Sequence, residues 1–241
     1  MTDRMALDTR PLYAQVREML RERIRSGTLK PGAPLPNEFA LARELGVSQG
    51  TVRKALDALA AENLLVRSPG RGTFVREQTA ADVLFRFFHL YDAAGDRILP
   101  DSRDVKVTRA KGSRTECDRL ALEKGASVVR ISRLRTREGA PFVTEQIAVP
   151  ADLFPELESV APLPNTLYDL FQRRYGVTVA RAEEKLAAAP ADGPTAAALG
   201  IAAGTPLLKV DRIAFALDDR PIEWRVSLCH LADGYYLARI G

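Results

Sequence analysis

The chain has 241 residues, 46% hydrophobic and 27% charged with a net charge of +4, enough apolar side chain for one large or two ordinary domains and too little net charge for a disordered polyelectrolyte. No run approaches the length of an apolar membrane span, and Met1-Thr2-Asp3-Arg4 opens no secretory signal, so the sequence points to the cytoplasm. Residues 1–76 carry 13 Lys and Arg against 8 Asp and Glu, the remainder 22 against 23, so the basic surface belongs to the first third and suits a polyanionic partner there.

The first predicted element is an amphipathic helix with Leu12, Val16, Leu20 and Ile24 as its buried stripe, Pro11 in its first turn and Gly27 at its exit. Pro31, Gly32, Pro34 and Pro36 then require an extended connector. Asn37 caps a short helix with Phe39 or Ala40, Leu41 and Leu45 on its apolar side, ending at Gly46. Ser48 caps a third helix, which buries Val52, Ala55, Leu56 and Leu59 and turns Gln49, Gly50, Arg53, Lys54 and Asp57 outward. Two helices joined by a Gly-Val-Ser turn form the pattern whose second helix enters the DNA major groove. Leu64–Arg67 and Thr73–Arg76 read as strands, with Arg71 at a glycine-flanked hairpin tip able to reach phosphates or a minor groove.

Leu35-Pro36-Asn37-Glu38, Leu45-Gly46-Val47-Ser48, Thr51-Val52-Arg53-Lys54-Ala55-Leu56 and Gly70-Arg71-Gly72-Thr73-Phe74-Val75 resemble the N-terminal winged helix-turn-helix of GntR-type bacterial transcription regulators. The resemblance implies that Ser48, Gln49, Gly50, Thr51, Arg53, Lys54, Arg71 and Gly72 sit at the DNA. Asn37-Glu38-Phe39 departs from the family's usual Ser-Glu-Arg, and Gln49-Gly50 from its Arg-Thr, so the operator sequence does not carry over.

A polar stretch at 77–82 reads as a linker. Beyond it, strand-like runs fall at 83–90, 104–108, 127–137, 142–149, 181–188, 207–217 and 222–228, with helices at 117–122, 166–175 and 194–199 and hairpin turns at Glu138-Gly139-Ala140 and Asp218-Asp219-Arg220. The expected fold is α+β: a winged helix-turn-helix over 1–76, then a mostly antiparallel-sheet domain over 83–241. The hairpin 127–149, Val149-Pro150-Ala151-Asp152-Leu153-Phe154, Thr166-Leu167-Tyr168, Tyr175-Gly176-Val177 and Pro221-Ile222-Glu223-Trp224 resemble the UTRA effector-binding domain of the HutC branch, whose fold is similar to chorismate lyase. Residues Cys229 to Tyr236 depart from that domain's usual closing segment.

Arg133 and Arg135 share one strand face, and Glu223 and Arg225 another. By themselves these residues suit a ladder of opposite charges on a wet sheet. With the resemblance they imply an effector pocket of Arg133, Arg135, Glu145, Thr166, Tyr168, Glu223 and Arg225, the guanidiniums gripping a carboxylate or phosphate. Arg137, close to the turn, is expected to be exposed. Acidic sugars, amino-sugar phosphates, phosphonates and imidazole acids all suit the branch.

Cys117 and Cys229 are 112 positions apart and read as thiols of a reducing compartment. Adjacent Cys229 and His230 on a strand point to opposite faces, so neither a metal nor another cofactor is expected. No phosphate-cradling glycine loop or hydrolase elbow appears. Two rival readings are an enzyme, since the sensor fold is similar to a lyase, and a winged helix used for protein contacts. The expectation is no enzyme but a homodimeric repressor reading a DNA operator of dyad-related half-sites, with affinity modulated by a small anionic effector and no membrane partner.

Overall fold

A computed structural model describes residues 10–76 and 87–238. The chain divides into two compact units, Met1–Gln78 and Thr79–Gly241. The expected linker at 77–82 lies outside the described residues, as do the first four positions of the strand expected over 83–90.

In the first unit, α1 (Leu12–Arg25), α2 (Glu38–Leu45) and α3 (Gln49–Ala61) precede the hairpin β1 (Leu65–Ser68) and β2 (Gly72–Val75). Helices α1 and α2 both pack on α3, burying Val16, Leu20, Ile24, Leu41, Val52, Ala55, Leu56 and Leu59. Each boundary has a local cause. Asn37 accepts from Ala40 N, Gly46 ends α2 in the left-handed region at φ 65°, and Ser48 accepts from Thr51 N. Some expected core residues are exposed: Leu12 in the first turn of α1, and both candidates at the start of α2, Phe39 and Ala40, which lie off the face where α2 buries Leu41 and Ala42. The proline connector is stitched to the wing. Gly32 N donates to Val75 O, Val75 N to Ala33 O and Leu35 N to Thr73 O, giving β2 a neighbour on each side.

The second unit is built on a six-stranded antiparallel sheet in the order β4-β5-β6-β9-β8-β7, from β4 (Asp101–Lys111), β5 (Ser127–Arg137), β6 (Ala140–Pro150), β7 (Arg181–Pro190), β8 (Pro206–Phe215) and β9 (Pro221–Cys229). The short strands β3 (Leu90–Tyr91) and β10 (Tyr235–Tyr236) pair separately. Helix α4 (Arg114–Arg119) begins earlier than the expected 117–122 because Ser113 and Glu116 form a reciprocal capping box. Helix α5 (Leu167–Tyr175) lays Leu167, Tyr168 and Phe171 against Ile131, Ile147 and Val149, and α6 (Gly193–Leu199) packs near β6. The core-facing side of the sheet changes character along its strands. On β5, Val129 and Ile131 give way to Arg133 and Arg135; on β6, Val149 and Ile147 give way to Glu145, all of them buried. A charged cluster therefore continues the hydrophobic core rather than facing water.

Candidate functional site

Strand register assembles the cluster. Arg133 pairs with Glu145, Glu145 with Ser227, Arg212 with both Glu184 and Arg225, and Ala214 with Glu223. Arg133 Nε donates to Glu145 Oε2 at 2.6 Å and its Nη1 to Asn165 O at 3.0 Å. Arg225 donates to both oxygens of Glu223, at 3.1 and 2.7 Å, and to Glu145 at 3.2 Å. Tyr168, brought in by α5, donates to Glu223 at 2.7 Å. Arg212 pairs with Glu184 at 2.5 Å and donates to the Phe87 carbonyl.

The seven predicted residues converge here. Arg133, Arg135, Thr166, Tyr168 and Arg225 line one cleft with Phe87, Phe88, Asn165 and Arg212; Glu145 lines the adjoining one, and fully buried Glu223 lies beneath. Arg137 instead pairs with Asp92 at 2.9 Å, away from the cluster. Sequence reasoning missed Asn165, Arg212, Glu184, Phe87 and Phe88. A lone Arg in the apolar run of β8 was the available signal for Arg212; Asn165 gave none beyond adjacency to Thr166.

The electrostatics single out Arg135. Four guanidiniums (Arg133, Arg135, Arg212, Arg225) meet three carboxylates (Glu145, Glu184, Glu223), leaving one positive charge over. Burial alone would raise Glu145, but Arg133, Arg225 and Arg135 outweigh it and hold the carboxyl below its ordinary range. Burial also opposes the charge on Arg225, yet Glu223 and Glu145 push that group up. Arg135 is compensated less fully, by Glu145 and Asp101 at longer range. Its Nη1 donates to Ser102 Oγ and to Asn165 Oδ1 at 2.6 Å, both neutral, while Nε has no hydrogen-bond partner and lies 4.0 Å from Glu145. Burial first, then Arg133 and Arg225, push Arg135 down to about 9, despite the pull of Glu145. A guanidinium does not give up its proton at neutral pH, so the direction reflects a burial cost that Glu145 and Asp101 offset only in part.

In the first unit the candidate nucleic-acid face is the N-terminal half of α3 and the wing. Ser48, Gln49, Gly50, Arg53 and Lys54 are exposed and Thr51 half-buried. Lys54 is drawn back over the Tyr13 ring at 4.1 Å. Arg71 stands exposed between Gly70 (φ 73°) and Gly72 (φ 107°), conformations that suit glycine and let the tip turn sharply. Two residues not foreseen join this face. Glu38 binds Arg53 and Arg67, and the hydrogen bond from Arg53 keeps its carboxyl below the ordinary range against a smaller opposing effect of burial.

Residues 12–75 match the model of bacterial regulatory proteins of the gntR family, and residues 97–233 match the UTRA domain. The chain belongs to the GntR family. It is 31% identical over 219 residues to the HTH-type transcriptional repressor NagR of Bacillus subtilis (strain 168), covering 90% of each chain. It is 29% identical over 232 residues to the HTH-type transcriptional regulator GgaR of Escherichia coli (strain K12), covering 93% of this chain and 89% of that one. Among solved structures, the ligand-binding domain of a GntR-family transcriptional regulator from Bordetella bronchiseptica superposes with a TM-score of 0.58 at 32% identity, over 65% of this chain and 98% of that one. PhnF from Mycobacterium smegmatis gives 0.56 at 25% identity, over 94% and 99%. As a GntR regulator with a UTRA effector domain, this chain is a DNA-binding transcription regulator and not an enzyme. Among the described residues no helix is long and apolar enough to cross a membrane.

Proposed function

We propose that this GntR regulator is a cytoplasmic, homodimeric repressor whose operator affinity is set by a small anionic metabolite held at Arg135. Residues 1–76 read dyad-related half-sites through Ser48, Gln49, Gly50, Thr51, Arg53 and Lys54, with Arg71 and Gly72 in the wing; 77–82 link them to an effector domain at 83–241. The repressor sense follows the name of NagR.

One observation carries the effector class: a buried guanidinium with an unpartnered Nε and no carboxylate of its own, at the wall of a cleft. An incoming carboxylate or phosphate supplies the missing charge and accepts from Nε. Arg133, Thr166 and Tyr168 surround it, while Glu145, Glu223 and Arg225 set the polar floor. The free space within the cleft is about 30 Å³, room for a few waters, so on this reading a metabolite enters only as lining side chains such as Phe87 and Phe88 move aside. Phe87 and Phe88 at the cleft directly follow residues 77–86, the chain that leaves the DNA-reading unit. An effector that displaces them acts on that chain, and a coupling of about 1–3 kcal/mol changes operator affinity roughly 5- to 150-fold.

A thermal-shift screen of monophosphate and carboxylate metabolites, paired with gel shifts on the DNA upstream of the gene, tests the reading. A compound that stabilises the wild type, fails to stabilise Arg135→Met and changes duplex affinity supports it. A compound that acts equally on both proteins places the effector elsewhere.

A further inference from the structure

Glu38, the first residue of α2, has a side chain only 16% exposed although it sits among groups that read DNA in the proposal above. Its Oε2 accepts from Arg53 Nε at 2.9 Å, Arg53 Nη2 at 2.8 Å and Gln49 Nε2 at 3.4 Å, and its Oε1 accepts from Arg67 Nη1 at 3.2 Å. Arg67, on β1, is held from its other side by Asp57 at 2.8 Å and donates to the Arg53 carbonyl at 3.4 Å. One carboxylate thus joins the start of α2, the recognition helix and the wing.

A negative charge in this place repels phosphates, so it lowers affinity for any duplex. What it supplies is orientation. With Nε and Nη2 turned to Glu38, Arg53 presents Nη1 outward; with Nε2 turned the same way, Gln49 presents Oε1, an acceptor only. An outward Oε1 accepts from a base amino group, adenine N6 or cytosine N4, whereas an unrestrained glutamine amide pairs with both N6 and N7 of adenine. We propose that Glu38 is a positioning residue for base discrimination, lowering general duplex affinity while fixing which atoms of Gln49 and Arg53 face the bases. The inference rests on the DNA-reading function.

The full-length wild type, Glu38→Ala and Asp57→Asn are each profiled against a randomised duplex library and titrated with one fixed random duplex. For Glu38→Ala the random duplex binds more tightly, the ratio of preferred to random affinity falls about 10-fold, the scale of one base contact, and adenine gains over cytosine at the position facing Gln49. Asp57→Asn removes the same charge from the Arg67 network without touching Gln49 or the Arg53 guanidinium. It tightens all duplexes alike and leaves the base profile unchanged. Glu38→Gln repeats the comparison should Glu38→Ala lower the Tm of the DNA-reading unit. An unchanged profile in the Glu38 variants, or the same change in Asp57→Asn, overturns the inference while the regulator stands. A wild type that binds no duplex overturns the regulator reading and the inference together.

Discussion

In the free protein the carboxylate paired with the buried charge of Arg135 is Glu145, 4.0 Å away and already held by Arg133 and Arg225, and replacing Arg135 by Met removes that surplus charge while keeping much of the side-chain volume. No acceptor is orphaned by the change. Asn165 Oδ1 still accepts from Ser102 Oγ at 2.8 Å, Pro100 O from Asn165 Nδ2 at 2.7 Å, and Asn165 O from Arg133 Nη1 at 3.0 Å. Exchanging buried ionic groups for well-packed apolar ones is worth about 1–4 kcal/mol of added stability, and a unit of this size gains about 2–4 °C per kcal/mol. Arg135→Met therefore raises the sensor's melting midpoint by roughly 2–16 °C while abolishing its response to anions, the exchange of stability for function expected at a binding site. Two positions along the same strand, Arg133→Met has the opposite sign. It breaks the 2.6 Å pair with buried Glu145 and lowers stability by about 3–5 kcal/mol. Thermal unfolding of the full chain followed by circular dichroism, in phosphate-free buffer and again with added inorganic phosphate, reads both. A midpoint that falls for Arg135→Met without added anion refutes the charge-deficit argument.

Arg71→Ala weakens binding to every duplex and lowers the slope of log affinity against log salt by about 1, whereas Arg53→Ala weakens the preferred duplex more than a random one, as a fluorescence-anisotropy salt series on both duplexes will show. Gly50→Ala is tolerated by the fold, since an added Cβ meets nothing nearer than Ser48 Oγ at 3.9 Å, and it stabilises the DNA-reading unit by about 0.5–1 kcal/mol in urea unfolding. Ser48→Ala loses the cap of the same helix and costs about 0.5–2 kcal/mol in that assay. Glu116 is bonded by Arg130, which outweighs burial and, with the Ser113 bonds, lowers its pKa to about 2 from an ordinary 4.5. A depressed carboxylate contributes stability above its unfolded pKa and loses it as pH falls through the folded one, so Glu116→Gln flattens the acid limb between about pH 4.5 and 2 in a pH series of unfolding midpoints.

Periodicity and punctuation made most of the fold legible. Asn37, Gly46 and Ser48 mark the helix ends by chemistry that is local in sequence, and Glu138-Gly139 turns β5 into β6 through two residues of positive φ. The α4 boundary was misplaced because apolar spacing from Cys117 to Leu122 outweighed the Ser113–Glu116 box. Phe39 was misassigned because an eight-residue helix offers too few turns to fix its buried face. The pairing of Arg133 with Glu145 follows from the hairpin register, which is local too. Arg212 and Asn165 reach the same cluster from strands and loops distant in sequence, and alternation alone cannot reveal such convergence.

The proline connector has a further consequence. Because Gly32–Leu35 runs hydrogen-bonded along one side of β2 while β1 runs along the other, β2 is the middle of a three-ply plate whose outer connector follows α1. The base of the hairpin is held from both sides, with Arg71 standing just beyond the paired residues. Recognition helix and wing are thereby preassembled into one surface before any duplex arrives.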